Sequence, residues 1–315
     1  MKINCKKCGS KSVQKYGKSR QDKQRYQCKS CGRVYVNRNI KNKQLREREW
    51  FKLWIKEGYN LRQLGIISGH SREKIKLIKS HWLKQSVPIL CSDYKAAKYL
   101  IFDGTYFNKK HCLLVFMNNA DVKTIDCRYL DKESYKNVLD FSQELKSLGV
   151  SPKSITLDGH QAVIRAIKDV WPEVIIQRCL YHMQRQGLMW LRRRPKTRIG
   201  VELRGLIKSI GQLKTETDKE HFTNAYISCI RRNTEGLNTL KGDEAGIKDI
   251  KKIVALINNA YADMWHFLED KNIPSTTNKL EGYFGQLKQQ YVKHKGMWAK
   301  SREAYLKWYC YYKNN

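Results

Sequence analysis

The chain has 315 residues, of which 62 are Lys or Arg and 29 are Asp or Glu, so its formal charge is +33. An excess of this size predicts a polyanionic partner, most simply the backbone of nucleic acid. Hydrophobic residues make up 41% of the chain, which argues against a disordered basic tail. The chain lacks a membrane-length apolar run, a lipidation motif and a secretion signal. We therefore expect an intracellular protein without a membrane partner, whose cysteines are thiols or metal ligands.

Four cysteines near the start form two Cys-x2-Cys pairs that 19 residues separate: Cys5, Cys8, Cys28 and Cys31. The spacing is typical of a tetrahedral zinc site, because each pair places two thiolates at the tip of a tight turn. A redox pair and incidental thiols are the alternatives, and two such pairs favour zinc. We expect residues 1–40 to form a zinc ribbon with one structural Zn²⁺, because four protein ligands leave no open position for chemistry.

Residues 43–85 have the pattern of three helices. Trp50 and Trp54 recur at helix spacing, and Ser71 can cap the last helix. The pattern predicts a helix-turn-helix domain whose last helix contacts DNA through four basic residues: Arg72, Lys74, Lys76 and Lys79. The alternative is a plain three-helix bundle with a solvated basic face. The neighbouring zinc pattern and the net charge favour DNA binding.

From about residue 98, short apolar runs predict five strands, at residues 99–103, 112–116, 124–130, 154–158 and 173–177. Helices are predicted at residues 133–148 and 162–170. The order β-β-β-α-β-α-β predicts an α/β core with a mixed sheet. Residues 181–269 are predicted to be helical throughout, and two further helices are expected over residues 278–290 and 298–312.

Asp103 and Asp158 each come at the end of a predicted strand and precede a glycine. Sites form at the carboxyl ends of strands in open α/β sheets, and neighbouring strands would place these carboxylates about 5 Å apart. Because two such acids repel each other, a bound cation would explain both, and oxygen ligands select Mg²⁺ or Mn²⁺. Glu281 is a third acid, on the same helix face as Asn278. Two ions held in this way could activate a water or a 3′-hydroxyl for displacement at phosphorus.

The acidic pattern leaves alternatives open. Each of the three acids could equally be an ordinary strand-end or helix-cap carboxylate. Asp121, Asp126 and Asp131 also lie near predicted strand ends and are rival ligands. Composition and pattern do not choose among them.

Four motifs occur in a defined order: Asp103-Gly104-Thr105, Leu157-Asp158-Gly159, Cys179-x2-His182 and Thr276-Thr277-Asn278-x2-Glu281. Together they resemble the Mutator-like transposase superfamily over roughly residues 98–295. The chain is most similar to the bacterial insertion sequence 256 type, in its variant with an N-terminal zinc-binding module. The resemblance implies that Asp103, Asp158 and Glu281 are the catalytic metal ligands. Gly282 departs from the small polar residue that more often follows the glutamate.

The resemblance also implies an α/β fold with a ribonuclease-H-like catalytic core, a mixed five-stranded sheet with helices, interrupted by an all-α insertion. The core would occupy residues 95–180 and 273–315, and the insertion residues 181–272. The zinc ribbon and the helix-turn-helix would precede it. Cys179, His182 and Asn278 would support the core near the active site. For the Cys179–His182 pair we favour packing and hydrogen bonding, because two ligands cannot complete a second zinc site.

The densest basic run contains Arg192, Arg193 and Arg194. A charge run is usually a solvated face, but this one would open the insertion close to the active site. A role in contacting DNA phosphates is therefore at least as strongly favoured. Trp190 beside it could stack on a displaced base, although a buried tryptophan is the commoner case.

These features predict a DDE-type transposase of an insertion sequence, with two Mg²⁺ or Mn²⁺ ions and one Zn²⁺. It would bind terminal inverted repeats, cleave there, and join the 3′-hydroxyl to target DNA. The alternatives are a catalytically silent zinc-ribbon and helix-turn-helix regulator derived from a transposase, and a nuclease without strand transfer. We expect double-stranded DNA of the element ends and target as partner, a homodimer or larger synaptic assembly, and a location in the bacterial cytoplasm with the nucleoid.

Overall fold

The computed structural model describes residues 3–20, 22–36, 40–91, 93–107, 110–239, 246–294 and 296–315. The predicted zinc ribbon and helical region therefore include positions outside the described residues, such as 37–39 and 240–245. The chain divides into two compact units, Met1–Trp54 with Leu61–Trp82 and Ile55–Asn60 with Leu83–Asn315. Among the described residues, no helix combines the length and the apolar character that crossing a membrane requires.

The first unit begins with a small antiparallel sheet of three strands in the order β1 (Val13–Lys18), β2 (Gln24–Cys28) and β3 (Val34–Val36). Within the described part of residues 3–36, only Cys5 and Cys28 are buried. Apolar burial is therefore too small to hold this sheet by itself.

Three helices follow where the apolar spacing predicts them: α1 (Ile40–Lys56), α2 (Leu61–Ser68) and α3 (Arg72–Leu83). Their buried side chains include Leu64, Ile75 and Ile78. The Phe51 ring stacks on the rings of Trp54 and Trp82, with centroids 5.8 and 6.3 Å apart. Aromatic packing thus fixes α3 against α1.

The second unit contains a mixed five-stranded sheet, as the sequence predicts. Its strands are β4 (Tyr99–Phe107), β5 (His111–Asn118), β6 (Thr124–Leu130), β7 (Ser154–Leu157) and β8 (Ile175–Arg178). Their spatial order is β6-β5-β4-β7-β8. The first three strands pair antiparallel, whereas β7 runs parallel to β4 and β8 runs parallel to β7.

Helices α4 (Tyr135–Ser147) and α5 (Gln161–Val170) join the later strands and share one hydrophobic core with the sheet. Leu100 and Phe102 of β4 belong to that core. Because successive side chains on a strand point to opposite faces, Ile101 and Asp103 face the other side of the sheet.

The chain after β8 is helical: α6 (Leu180–Leu191), α7 (Arg198–Ser209), α8 (Glu216–Thr239), α9 (Ile247–Ala260) and the short α10 (His266–Glu269). These helices bury a hydrophobic core of their own, which includes Leu203, Ile207 and Ile253. The buried Gln177 of β8 joins this region to the sheet. Its amide donates to the Met264 carbonyl at 3.0 Å and accepts from the Phe267 amide at 3.2 Å.

The last two helices return to the sheet. Helix α11 (Asn278–Val292) contacts β4, and α12 (Ala299–Asn314) contacts β6. The return of α11 brings a residue late in the chain to the strand that carries Asp103.

Candidate active site

The register of two parallel strands places Asp103 and Asp158 level with each other. Ile101 of β4 pairs with Thr156 of β7, and two further steps along both strands reach Asp103 and Asp158. Strand β7 ends at Leu157, whereas β4 continues to Phe107 because its pairing with β5 extends that far. The prediction that Asp103 ends its own strand is therefore wrong. Asp103 lies instead where the neighbouring strand ends.

Glu281 reaches this place from the first turn of α11. The segment before α11 is fixed by two hydrogen bonds, from the Thr156 hydroxyl to the Pro274 carbonyl at 2.7 Å and from the Leu180 amide to the Ser275 carbonyl at 2.9 Å. As a result, three ligand atoms lie within 4.8 Å of one another, one from each of Asp103, His182 and Glu281. The structure thus brings together residues from three distant motifs.

Cys179 and His182 lie inside this arrangement. The Thr277 hydroxyl is 3.4 Å from both the Cys179 sulfur and His182 Nδ1, and the Thr277 amide donates to that sulfur at 3.3 Å. His182 Nε2 lies 3.2 Å from Glu281 Oε1. The Cys179 thiol and the charges of Asp103 and Glu281 raise the pKa of His182 to about 9, against the opposing effect of burial. His182 therefore makes the kind of hydrogen bond that the sequence interpretation favoured. It also belongs, with Asp103 and Glu281, to one group of converging ligand atoms, the acidic cluster.

Glu133 is a neighbouring acid that the sequence motifs do not reveal. Its Oε2 lies 3.1 Å from the point that a Cβ atom on Gly104 would occupy. Burial, together with the charges of Asp158 and Asp103, raises the pKa of Glu133 to about 8. Burial also raises the pKa of Asp103 to about 6, although His182 opposes this shift. The signal in the sequence was an acid directly between a strand and a helix, which is too common to single out.

Arg178 is the buried cation beside Asp158. Burial lowers the pKa of its guanidinium, and the charge of Asp158 opposes that shift. The guanidinium lies so close to Gly159 that any Cβ atom there would overlap it. The glycine after Asp158 therefore has a steric cause.

The rival acids have other partners. The Asp121 side chain accepts a hydrogen bond from the Lys123 amide at 3.2 Å, and Asp131 accepts one from the Asn137 side chain at 3.0 Å. Asp126 lies 3.7 Å from Arg128. Within the described ranges, none of the three joins a group of ligand atoms as close as that around Asp103.

The acidic cluster suits a divalent cation. Glu281 Oε1 is buried and has no hydrogen bond within the described part of the chain, although it faces His182 Nε2. Several carboxyl groups close together and partly removed from water repel one another, and a bound cation relieves that repulsion. The carboxylates that Mg²⁺ and Mn²⁺ prefer are therefore in place.

The four N-terminal cysteines also converge. The Cys5 and Cys31 sulfurs are 3.6 Å apart, as are those of Cys8 and Cys28, and all four lie within 4.8 Å of one another. Tetrahedral Zn²⁺ with bonds of about 2.3 Å requires sulfur separations of about 3.8 Å. Gly9 and Gly32 follow the two pairs with φ of 72° and 68°, which lets each knuckle close. These cysteines therefore fit one zinc ion.

A comparison with family models matches residues 62–243, more than half of the chain, to the family described as "Transposase, Mutator family". The chain belongs to this family. The matched part of the chain contains Asp103, Asp158, Cys179 and His182, whereas Glu281 lies beyond it. Membership indicates a transposase-like function.

A comparison with curated proteins found no match. Among solved structures, this protein is similar to a chain in the cryo-EM structure of the simian T-cell lymphotropic virus intasome in complex with PP2A regulatory subunit B56 gamma. The two are 14% identical, and the match covers 62% of this chain and 71% of that chain, with a TM-score of 0.24. A score this low carries no weight for fold or function.

The predicted DNA-reading residues of α3 have different surroundings. Arg72 and Lys76 are exposed on the surface. Lys74 forms an ion pair with Glu47 at 2.6 Å, and the Lys79 ammonium lies 5.3 Å from the centre of the Trp54 ring. Burial, and then the charge of Lys76, lowers the pKa of Lys79. The structure therefore leaves Arg72 and Lys76 as the accessible pair of the four.

Three arginines are exposed between α6 and α7: Arg192, Arg193 and Arg194. Arg192 and Arg194 line a cavity of about 220 Å³ together with Trp190 and Lys196. The predicted tryptophan and two of the predicted arginines thus share one basic, partly aromatic pocket. Asn278 is exposed at the first residue of α11.

Proposed function

We propose that this protein is a DDE-type DNA transposase with a ribonuclease-H-like core. The observation that carries the proposal is the meeting of Asp103 and Glu281 in one cluster, with Asp158 level with Asp103 on the adjacent strand. Strand order β6-β5-β4-β7-β8, with three antiparallel and two parallel members, supports the core assignment. On this proposal, the helices at 181–272 are an insertion within that core.

Asp103, Asp158 and Glu281 would hold two Mg²⁺ or Mn²⁺ ions. Bound ions of this kind activate an attacking oxygen and stabilise the leaving oxygen at phosphorus. The other residues of the chain act by positioning these ligands. Thr156, Leu180 and Thr277 hold the segment that sets Glu281 against β4. Hydrolysis and strand transfer are the same displacement with different nucleophiles, so one site serves both.

DNA recognition would fall to separate surfaces. The zinc ribbon with its structural Zn²⁺ and the helix-turn-helix of α1–α3 would bind the terminal inverted repeats, with Arg72 and Lys76 exposed for contact. Arg192, Arg193 and Arg194 would contact phosphates near the cut. Pairing two element ends requires at least a dimer.

The test uses the full chain, Mg²⁺ and labelled DNA from the two sequences that flank the gene. The wild type should nick at a defined end and yield strand-transfer products. Asp158→Asn should abolish both products while leaving DNA binding intact, because it removes a metal ligand without altering side-chain volume. Asp121→Asn is the matched control, since this acid lies outside the cluster.

Two results would overturn parts of the proposal. Cleavage by the Asp158→Asn variant would show that the triad is wrongly assigned. If the wild type binds the ends and never cuts, the protein is a DNA-binding regulator.

A further inference from the structure

His182 has the geometry of a metal ligand. It lies in the first turn of α6, and its Nε2 is 3.2 Å from Glu281 Oε1. Its ligand atom and those of Asp103 and Glu281 lie within 4.8 Å of one another. A single ion can contact three atoms that converge in this way, so the cluster offers one nitrogen and two oxygen donors.

The second nitrogen of the ring has a partner that fixes the ring orientation. Nδ1 lies 3.4 Å from the hydroxyl of Thr277, a fully buried residue whose amide and hydroxyl both contact the Cys179 sulfur. With the Nδ1–H donating to Thr277, Nε2 is the ring nitrogen that faces the carboxylate of Glu281. Histidines that bind metals are held in the same way, by a hydrogen bond on the nitrogen away from the ion.

The contact between Thr277 and His182 takes the place of another hydrogen bond. Thr277 stands directly before α11, where its hydroxyl could cap the helix, but it makes no capping bond. The hydroxyl is directed instead to Cys179 and His182. The chain therefore forgoes a capping hydrogen bond that would stabilise α11, and keeps the imidazole oriented.

We propose that His182 binds a divalent ion directly, together with Asp103 and Glu281, and that this position therefore selects Mn²⁺ over Mg²⁺. The inference rests on the proposed metal site and adds a nitrogen donor to it. Imidazole suits transition metals, whereas Mg²⁺ keeps oxygen ligands and water. The other acids close enough to act on Asp103 or on one another, Asp158 and Glu133, offer oxygen donors alone. The ring exchanges its Nε2 proton for the ion and releases that proton to solvent.

The test measures metal binding and does not depend on catalysis. Full-length protein with zinc already bound is labelled with ¹⁵N-histidine, loaded with Mn²⁺ and examined by electron spin echo envelope modulation. We expect modulation from a directly bound nitrogen at the ¹⁵N frequency, and at the ¹⁴N frequency in unlabelled protein. Bound Mn²⁺ without nitrogen modulation would overturn the inference, and so would a wild type that binds no Mn²⁺.

Two variants identify the histidine. His182→Asn should lose the modulation and weaken Mn²⁺ binding by more than about 10-fold, the loss that removing even a hydrogen-bond partner of a ligand causes. The change for Mg²⁺, measured by competition, should be smaller. His160→Asn is the matched control, because His160 lies next to the Asp158 loop but outside the cluster. Modulation that survives His182→Asn contradicts the assignment. If that variant fails to fold, the labelled wild type still tests the inference, because bound Mn²⁺ without a histidine nitrogen contradicts it.

The result separates this inference from the proposed function. Nitrogen modulation in a protein that never cuts DNA would support His182 as a ligand and oppose the catalytic proposal. DNA cleavage with bound Mn²⁺ that shows no nitrogen contact would support the catalytic proposal and oppose His182 as a ligand.

Discussion

At the level of single residues, burial and the charges of the neighbouring acids act in the same direction on Glu133, and His182 opposes them. Burial and the charges of Asp158 and Asp103 raise its pKa to about 8, whereas the pKa of a glutamate in an unfolded chain is about 4.3. At a pH between those two pKa values, the carboxyl group takes up a proton when the protein folds. By linkage, its contribution to stability is lost as the pH rises through that window.

Glu133→Gln should therefore stabilise the protein at high pH in the absence of added divalent ions. The amide cannot ionise, so the variant avoids the buried charge that the wild type carries above about pH 8. We expect a melting temperature higher by about 2–4 °C at pH 9, equivalent to about 1 kcal/mol for a unit of this size, and a smaller gain at pH 5, near the lower end of that window. Thermal denaturation at both pH values measures this.

The control for Glu133 is Glu173→Gln, because Glu173 is an exposed glutamate outside the cluster. Its melting temperature should differ little from that of the wild type at either pH. An equal gain for Glu133→Gln at pH 5 and pH 9 would contradict the titration argument, because a neutral glutamic acid and a glutamine would then differ.

The residues of the site differ in how far the sequence reveals them. Asp103 and Asp158 follow apolar runs, so the positions of their strands are readable from local pattern. Glu281 and His182 meet only because the segment at 274–277 is held by Thr156, Leu180 and Cys179. Such long-range contacts leave no periodicity in the sequence, which is why family resemblance and not pattern identified Glu281. Glu133 belongs to no motif, and only the fold reveals it.

At the level of elements, the strands and helices were predicted where apolar spacing is strong. The sequence predicts β6 within its observed bounds, and α5 begins one residue earlier than expected. Strand β4 extends beyond the prediction to Phe107, because pairing with β5 continues through Gly104, a residue that weakens a local strand signal. Pairing partners therefore extend an element that its own residues would end.

The three-stranded sheet of the first unit should depend on metal. Its only buried residues within the described part of 3–36 are Cys5 and Cys28, so zinc binding must supply most of its folding free energy. Chelation, or Cys28→Ser, should release one zinc per chain and make this segment sensitive to trypsin. A fragment that contains residues 83–315 should resist under the same conditions.

Metal analysis by mass spectrometry and the pattern of tryptic fragments check this prediction. Cys91→Ser is the matched control, since Cys91 is a partly buried thiol outside the cysteine cluster. It should retain the zinc and the resistance of the N-terminal sheet. A zinc-free protein with an intact sheet would show that the segment folds without the metal.

At the level of the whole molecule, the charge of +33 is shared between two compact units. Arg72 and Lys76 are exposed on the first unit, and Arg192, Arg193 and Arg194 on the second. Two basic surfaces on one chain raise the affinity for a single DNA if both reach it, because the second contact is then intramolecular. The affinity for DNA should therefore fall steeply as the salt concentration rises.

Arg192 and Arg194 line the basic pocket beside Trp190, and their loss should be visible in that salt dependence. Each phosphate contact contributes about 0.9 to the slope of log affinity against log salt concentration. Replacing both arginines by alanine should therefore make the slope less steep by about 1.8, as measured by fluorescence anisotropy over a salt series. Arg165→Ala with Lys168→Ala removes two exposed cations from α5 and is the matched control. An equal change in slope for the control pair would mean that net charge, and not the pocket, governs DNA binding.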